Sequence, residues 1–268
     1  MLAGTPLNGS LCCDQVIQYV PEFDLYIWLM QFSSTGPGPL QGINKLRIAA
    51  ARPDDMKSSG GTAWTYWDFF SGDFGQSVVL DYPDLSIGNA TLNVSVDAVG
   101  VGLLIFRVPL PDIAAGGAVG FDFTDPADSA AAYGGHVSQN TGDTLFWAGH
   151  NSTSQLRVFS LPEGSGTYSW RDIDINSWPN ADYSSPVPGG TDWLQFMAGF
   201  PGSAIIGATR REGAAGSELW LAWTAARGGG RSSPCPGRRA RYANLGRAQP
   251  VADREPGPCL RLPLPGDE

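Results

Sequence analysis

The chain lacks any apolar run approaching the ~18 residues of a membrane-crossing helix. It also lacks a phosphate loop, a nucleophile elbow and a metalloprotease helix, which removes three common routes to enzymatic chemistry. None of its 4 cysteines forms a Cys-x-x-Cys pair, so the zinc signal is weak. Basic residues are outnumbered, 17 against 26 acidic, and the net charge of −9 argues against a nucleic-acid partner. The imbalance is uneven: the tail from Arg227 holds 8 of the basic and 4 of the acidic residues, a net +4, which leaves −13 on residues 1–226. An acidic body of that size suits an exported protein or one that takes cations or neutral ligands. Met1-Leu2-Ala3-Gly4 has neither the basic start nor the long apolar segment of a secretory signal. The expectation is a chain that is cytosolic as written, or else an extracellular or periplasmic full-length protein whose signal is not in this sequence.

What the chain has instead is short alternating apolar runs. Ser77 to Pro126 reads as one unit: SVVLDYPDL, then TLNVSVDAV with Leu92, Val94, Val96 and Ala98 alternating with Asn93, Ser95 and Asp97, then GLLIFRVPL, then VGFDFTDP. Period-2 alternation closed by Pro and Gly is the signature of half-buried strands. Four strands in about 50 residues are what a propeller blade looks like. The pattern recurs over 11–70 (LCCDQVIQYVPEFD, LYIWLMQF, KLRIAAARP, AWTYWDFF), over 131–175 (AAYGGHVSQNTGDT, LFWAGHN, QLRVFSLPE, TYSWRDIDI), and in part over 191–226, where GSAIIGATRRE stands as an extra segment. Two intervals repeat. Leu92 to Leu103 and Leu145 to Leu156 both span 11 residues, as do Asp81 to Leu92 and Asp14 to Leu25.

The predicted fold is therefore all-β, a β-propeller of four-stranded antiparallel blades with about three complete units and a partial fourth. Residues 1–10 form an irregular leader. Residues 227–268, rich in Pro, Gly and Arg and holding none of the 9 Trp, are predicted to be a disordered tail, whether native or read out of frame. Leu25–Phe32, Thr91–Val99, Leu145–His150 and Leu219–Ala226 are expected as inner, buried strands. An unfinished ring would expose blade faces and favour self-association.

The paired aromatics late in each unit (Trp64 and Trp67, Phe121 and Phe123, Tyr168 and Trp170) give this four-strand grammar a resemblance to secreted bacterial β-propellers, the sialidase-like group most closely. It covers residues 10–226 at the level of blade pattern. That family's Ser-x-Asp-x-Gly-x-x-Trp box is absent, echoed only by Gly60 to Trp64 and Gly164 to Tyr168. Its arginine triad cannot be placed, because Arg47 and Arg157 sit in equivalent strand positions as repeat features. Neuraminidase activity does not carry over.

First strands line the axis of a propeller, so their polar residues are the candidate ligand-binding set. They are Asp14 and Asp81 at matched positions, His136 near the same place in the third unit, and Asp192 as a looser fourth. Asp84, across Tyr82-Pro83 from Asp81, joins them, or else caps a turn. Converging carboxylates and an imidazole would hold a cation such as Ca²⁺ or share acid/base work on a glycosidic bond; alternatively, wet axial strands simply tolerate polar residues. Two functions follow. One is a non-catalytic binding or scaffold module for a glycan, peptide or cation, and the other is a glycoside hydrolase or lyase. No cofactor besides Ca²⁺ is expected. Cys12 and Cys13 read as two buried free thiols and His150 as a surface turn residue; most aromatics read as core rather than as sugar-stacking platforms.

Overall fold

The structure is a computed structural model that describes residues 10–38, 40–178, 188–190, 204–213, 216–223 and 259–263. Its described regular structure is almost wholly antiparallel sheet, with two six-residue α-helices, Pro53–Ser58 and Leu110–Ala115. The chain divides into two compact units, Met1–Ser129 and Ala130–Glu268.

In the first unit, β1 (Leu11–Val20), β2 (Leu25–Phe32), β3 (Lys45–Ala51) and β4 (Thr65–Phe70) form one meander, each strand paired with the next. A second meander joins β5 (Leu80–Ile87), β6 (Thr91–Ala98), β7 (Gly102–Pro109) and β8 (Asp122–Phe123) in the same order. Alternation dictates the packing. Ile27 and Leu29 of β2 and Leu46 and Ile48 of β3 share one buried core with Leu92, Val94 and Val96 of β6 and Leu104 and Phe106 of β7. A one-residue slip of β2 would move Ile27 and Leu29 to the face that carries the exposed Tyr26, whereas β3, β6 and β7 are buried on both faces. Phe69, Phe74 and Phe106 close the core with mutual ring contacts of 4.9–6.5 Å. Asn44, fully buried, ties the sheets together: its Nδ2 donates to the Leu80 carbonyl and its Oδ1 accepts from the Leu80 amide, each at 2.8 Å. Paired in this way, a buried amide avoids the desolvation penalty of an unmade hydrogen bond.

The second unit holds β9 (Thr144–Ser152), β10 (Gln155–Pro162) and β11 (Ser169–Asp174) as one three-stranded sheet, and β12 (Ile205–Gly213), β13 (Gly216–Trp223) and β14 (Cys259–Pro263) as another. Phe146, Ala148 and Leu156 pack with Ile205, Leu219, Leu221 and Trp223. The strand expected over 131–144 does not form. Pro126–Ala132 holds two short 3₁₀ turns kinked at Ser129, and the chain beyond it includes an isolated parallel bridge, Gln139 to Thr209. The Gly134-Gly135 pair and the absence of alternation explain this: the segment is a splice, with the Ser138 amide donating to the Phe146 carbonyl at 2.7 Å and the Gln139 amide to that of Ala208 at 2.9 Å. The third unit thus has three strands, and β9 lies at the end of its sheet rather than inside it. The segment set aside as extra, 202–212, contains all of β12 but its last residue, and residues 191–203 lie outside the described set. Of the tail 227–268, residues 259–263 pair with β13 as β14 and the rest is outside the described residues.

Cys12 and Cys13 require a correction. They are exposed and joined to each other by a disulfide, not buried as free thiols. Both lie on an edge strand, in the register break between Leu11 and Gln15, where strict face alternation fails and the side chains of neighbours can meet.

Candidate functional site

β1 and β5 are each the edge strand of their sheet, and the candidate carboxylates of the first unit fall on them. Asp14 is exposed, in the register break of β1. Asp81 and Asp84 flank a bulge in β5. Asp81 lies opposite Asp97 and Asp84 opposite Ser95, so three steps on β5 answer two on β6. The extra length is Tyr82-Pro83. Tyr82 has φ +55°, the left-handed region, where a residue with a Cβ is strained by about 1–2 kcal/mol. A following proline disfavours helical-type backbone as well. Strain of this kind persists only where the surroundings enforce it, and it collects at functional positions.

The ring of Tyr82 is half-buried, and burial pushes its hydroxyl above the ordinary phenol range, with the negative charges of Asp14, Asp84 and Asp97 adding to the effect. Those carboxylates come from three strands, β1, β5 and β6. Asp97 is only 1% exposed. Asp81 is held by the buried Gln31 of β2, whose Nε2 donates to Asp81 Oδ1 at 2.8 Å. Gln31 Oε1 has no hydrogen-bond partner, nor does the Oγ of fully buried Ser95, on the same face of β6 as Asp97.

The structure thus brings Asp14, Asp81 and Asp84 into one neighbourhood and adds Tyr82, Asp97, Gln31 and Ser95. Asp97 and Ser95 read from the sequence as the solvent side of an alternating strand, yet both faces of β6 are buried. The one signal available was the Asp-Tyr-Pro-Asp run, too long for its ladder. His136 belongs to the second unit, where its main-chain amide donates to the Ile205 carbonyl at 3.1 Å; Asp192 lies outside the described residues. Among the described residues no group of three or more His, Cys, Asp or Glu is placed to hold a metal ion.

Chemically the bulge brings carboxyl groups and a side-chain amide near a phenol that is held above its ordinary range.

A second polar grouping lies in the other unit. His150, expected at the surface, is half-buried on β9, with ring centroids 5.0 Å from Trp178 and 4.9 Å from Trp223. Neither of its ring nitrogens, nor either indole N–H, has a hydrogen-bond partner. Burial drives its pKa down to about 4, partly opposed by the nearby main chain of Ser152.

Three sheets also carry an arginine directly opposite an aspartate on the closing strand: Arg47 and Asp68, Arg107 and Asp122, Arg157 and Asp172. The first is buried and joined by Lys45. Arg47 Nη2 and Lys45 Nζ donate to Asp68 Oδ2 at 2.7 and 2.8 Å, and the guanidinium lies 3.8 Å over Tyr66. Burial alone would raise the Asp68 pKa, but the bonds from Arg47 and Lys45 hold it below the usual carboxylate range.

Comparison of the chain with protein-family models, curated proteins and solved structures gives no match.

Proposed function

We propose that the chain is a non-catalytic binding module of the β-propeller type, its sheets serving as blades and its ligand taken at the β5 bulge. The observation that carries this reading is Tyr82, held with positive φ in front of Pro83 in the β5 bulge between Asp81 and Asp84. Backbone strain of this kind collects at functional positions, although a bulge on an edge strand also turns that edge away from further pairing. The meander order of both sheets in the first unit, and the recurring Arg–Asp pair, support the blade reading. Export to an oxidising compartment, as in the secreted propellers that the chain resembles, suits the exposed Cys12–Cys13 bond.

The test is hydrogen exchange of the β5 amides in the presence of Ca²⁺, neutral and acidic oligosaccharides, short peptides and small amines. At least one class is expected to slow exchange across residues 80–87 in the wild type and not in Tyr82→Gly, with no product released. If no class protects β5, the site reading is wrong. Release of reducing ends from an oligosaccharide would replace it with the hydrolase reading.

A further inference from the structure

We propose that Cys12–Cys13 is a reversible redox site: a dithiol reductant opens the bond, and the end of β1 then moves two residues along β2. The inference is independent of what the β5 bulge binds. A disulfide between chain neighbours closes almost no loop, so it takes little entropy from the unfolded chain and stabilises little. What the bond governs is the ladder around it. Leu11 pairs with Phe32 and Gln15 with Met30, so Cys12, Cys13 and Asp14 stand against Gln31 alone. β1 thus carries two residues more here than the ladder takes. The bond holds them there, because it keeps together two side chains that a pleated strand sends to opposite faces. The Ser33 amide, donating to the Ser10 carbonyl at 2.9 Å, continues the offset pairing beyond the ring.

With the bond open, the register of Gln15–Val20 can run on. It places Asp14 opposite Gln31, Cys13 opposite Phe32 and Cys12 opposite Ser33. A shift of two residues preserves the faces of the strand, as a shift of one would not, and it removes the bulge. Asp14 then arrives opposite an amide whose Nε2 donates to Asp81 and has a second N–H to offer. Both cysteines are exposed on an edge strand, so a reductant reaches either sulfur, and exposed disulfides are the labile, regulatory kind. A thiolate of the reductant attacks one sulfur and the S–S bond breaks. The reductant's second thiol displaces the mixed disulfide and closes the reductant as a cyclic disulfide. Two electrons and two protons pass to the protein, which ends with two thiols.

Nuclear Overhauser contacts of Phe32 in the full chain, before and after dithiothreitol, test this. Ser10 and Ser33 are a hydrogen-bonded pair, so the neighbouring Leu11 and Phe32 α-protons face each other closely. In the oxidised chain the Phe32 α-proton should contact that of Leu11. After reduction this contact should be lost and one to the Cys13 α-proton should appear, and oxidised dithiothreitol should reverse the change. A double variant, Cys12→Ser with Cys13→Ser, should show the contact from Phe32 to residue 13 with or without reductant. Survival of the Leu11 contact once alkylation shows both thiols free, or its loss with no contact to Cys13, would overturn the shift of register. Failure of excess dithiothreitol to make either cysteine alkylatable in the folded chain would overturn the redox site itself.

Discussion

Acidification acts on the second unit through His150. In the unfolded chain this imidazole takes up a proton near its ordinary 6.5; in the folded chain, between Trp178 and Trp223, it does so near 4. Between those values unfolding binds a proton, so stability falls as the pH drops through the window from 6.5 to 4 and levels off below it. At about 1.36 kcal/mol for each tenfold change in proton affinity, the ceiling is about 3.4 kcal/mol. The ring is only partly buried, and water screens it, so a loss of about 1–2 kcal/mol is expected. Urea denaturation of the wild type and of His150→Phe at pH 7.5, 6.0, 5.0 and 4.5 measures it. The wild type should lose stability across this range and the variant should stay nearly flat. Carboxylates held low by arginine, such as Asp68 and Asp172, lose their contribution only below about 4, outside the window. With only two histidines in the chain, the imidazole proton resonances give an independent check. A His150 midpoint near 6.5, or parallel losses in wild type and variant, would refute the burial reasoning.

Asp68→Ala strands two buried cations and should cost about 3–5 kcal/mol, whereas Asp172→Ala, at a surface pair, should cost under about 1 kcal/mol; equal urea midpoints for the two variants would contradict the difference in burial. Gly149→Ala should remove about 3 kcal/mol or more, because an added Cβ would run into the Ala131 carbonyl; a midpoint within about 0.5 kcal/mol of wild type would show that the segment before β9 yields easily. Reducing the Cys12–Cys13 bond with dithiothreitol closes out a ring spanning one peptide bond and should shift stability by less than about 1 kcal/mol. Alkylation mapped by mass spectrometry should label both residues only after reductant.

The strands were legible where alternation was strict. β2, β6 and β13 stand where their apolar periods place them, and Asp14 and Asp81 fall on edge strands as first strands of their sheets. Legibility ended where partners come from far along the chain. Asn151 and Ser152, which read as a turn, continue β9, and Trp178, which helps bury His150, arrives 28 residues later. Asp97 and Gln31 were hidden for a related reason. A polar residue at a period-2 position signals a wet face, and nothing local reports that β6 is covered on both sides. The 131–144 segment misled because its length matched a strand plus turn, while its two adjacent glycines belong to a loop.

The arginine–aspartate pairs impose a hazard as well as a register. Three closing strands, β4, β8 and β11, present the same aspartate to the same kind of arginine, so a closing strand that peels away meets a compatible acceptor on another sheet or another molecule. Exchange of this sort turns a monomer into linked oligomers at high concentration. Lys45 distinguishes one of the three. By adding a second cation beside Arg47 it makes the β3 acceptor prefer Asp68 held in a buried, doubly bonded geometry, and the short β8, whose Asp122 is largely exposed at 3.6 Å from Arg107, becomes the strand most open to trade.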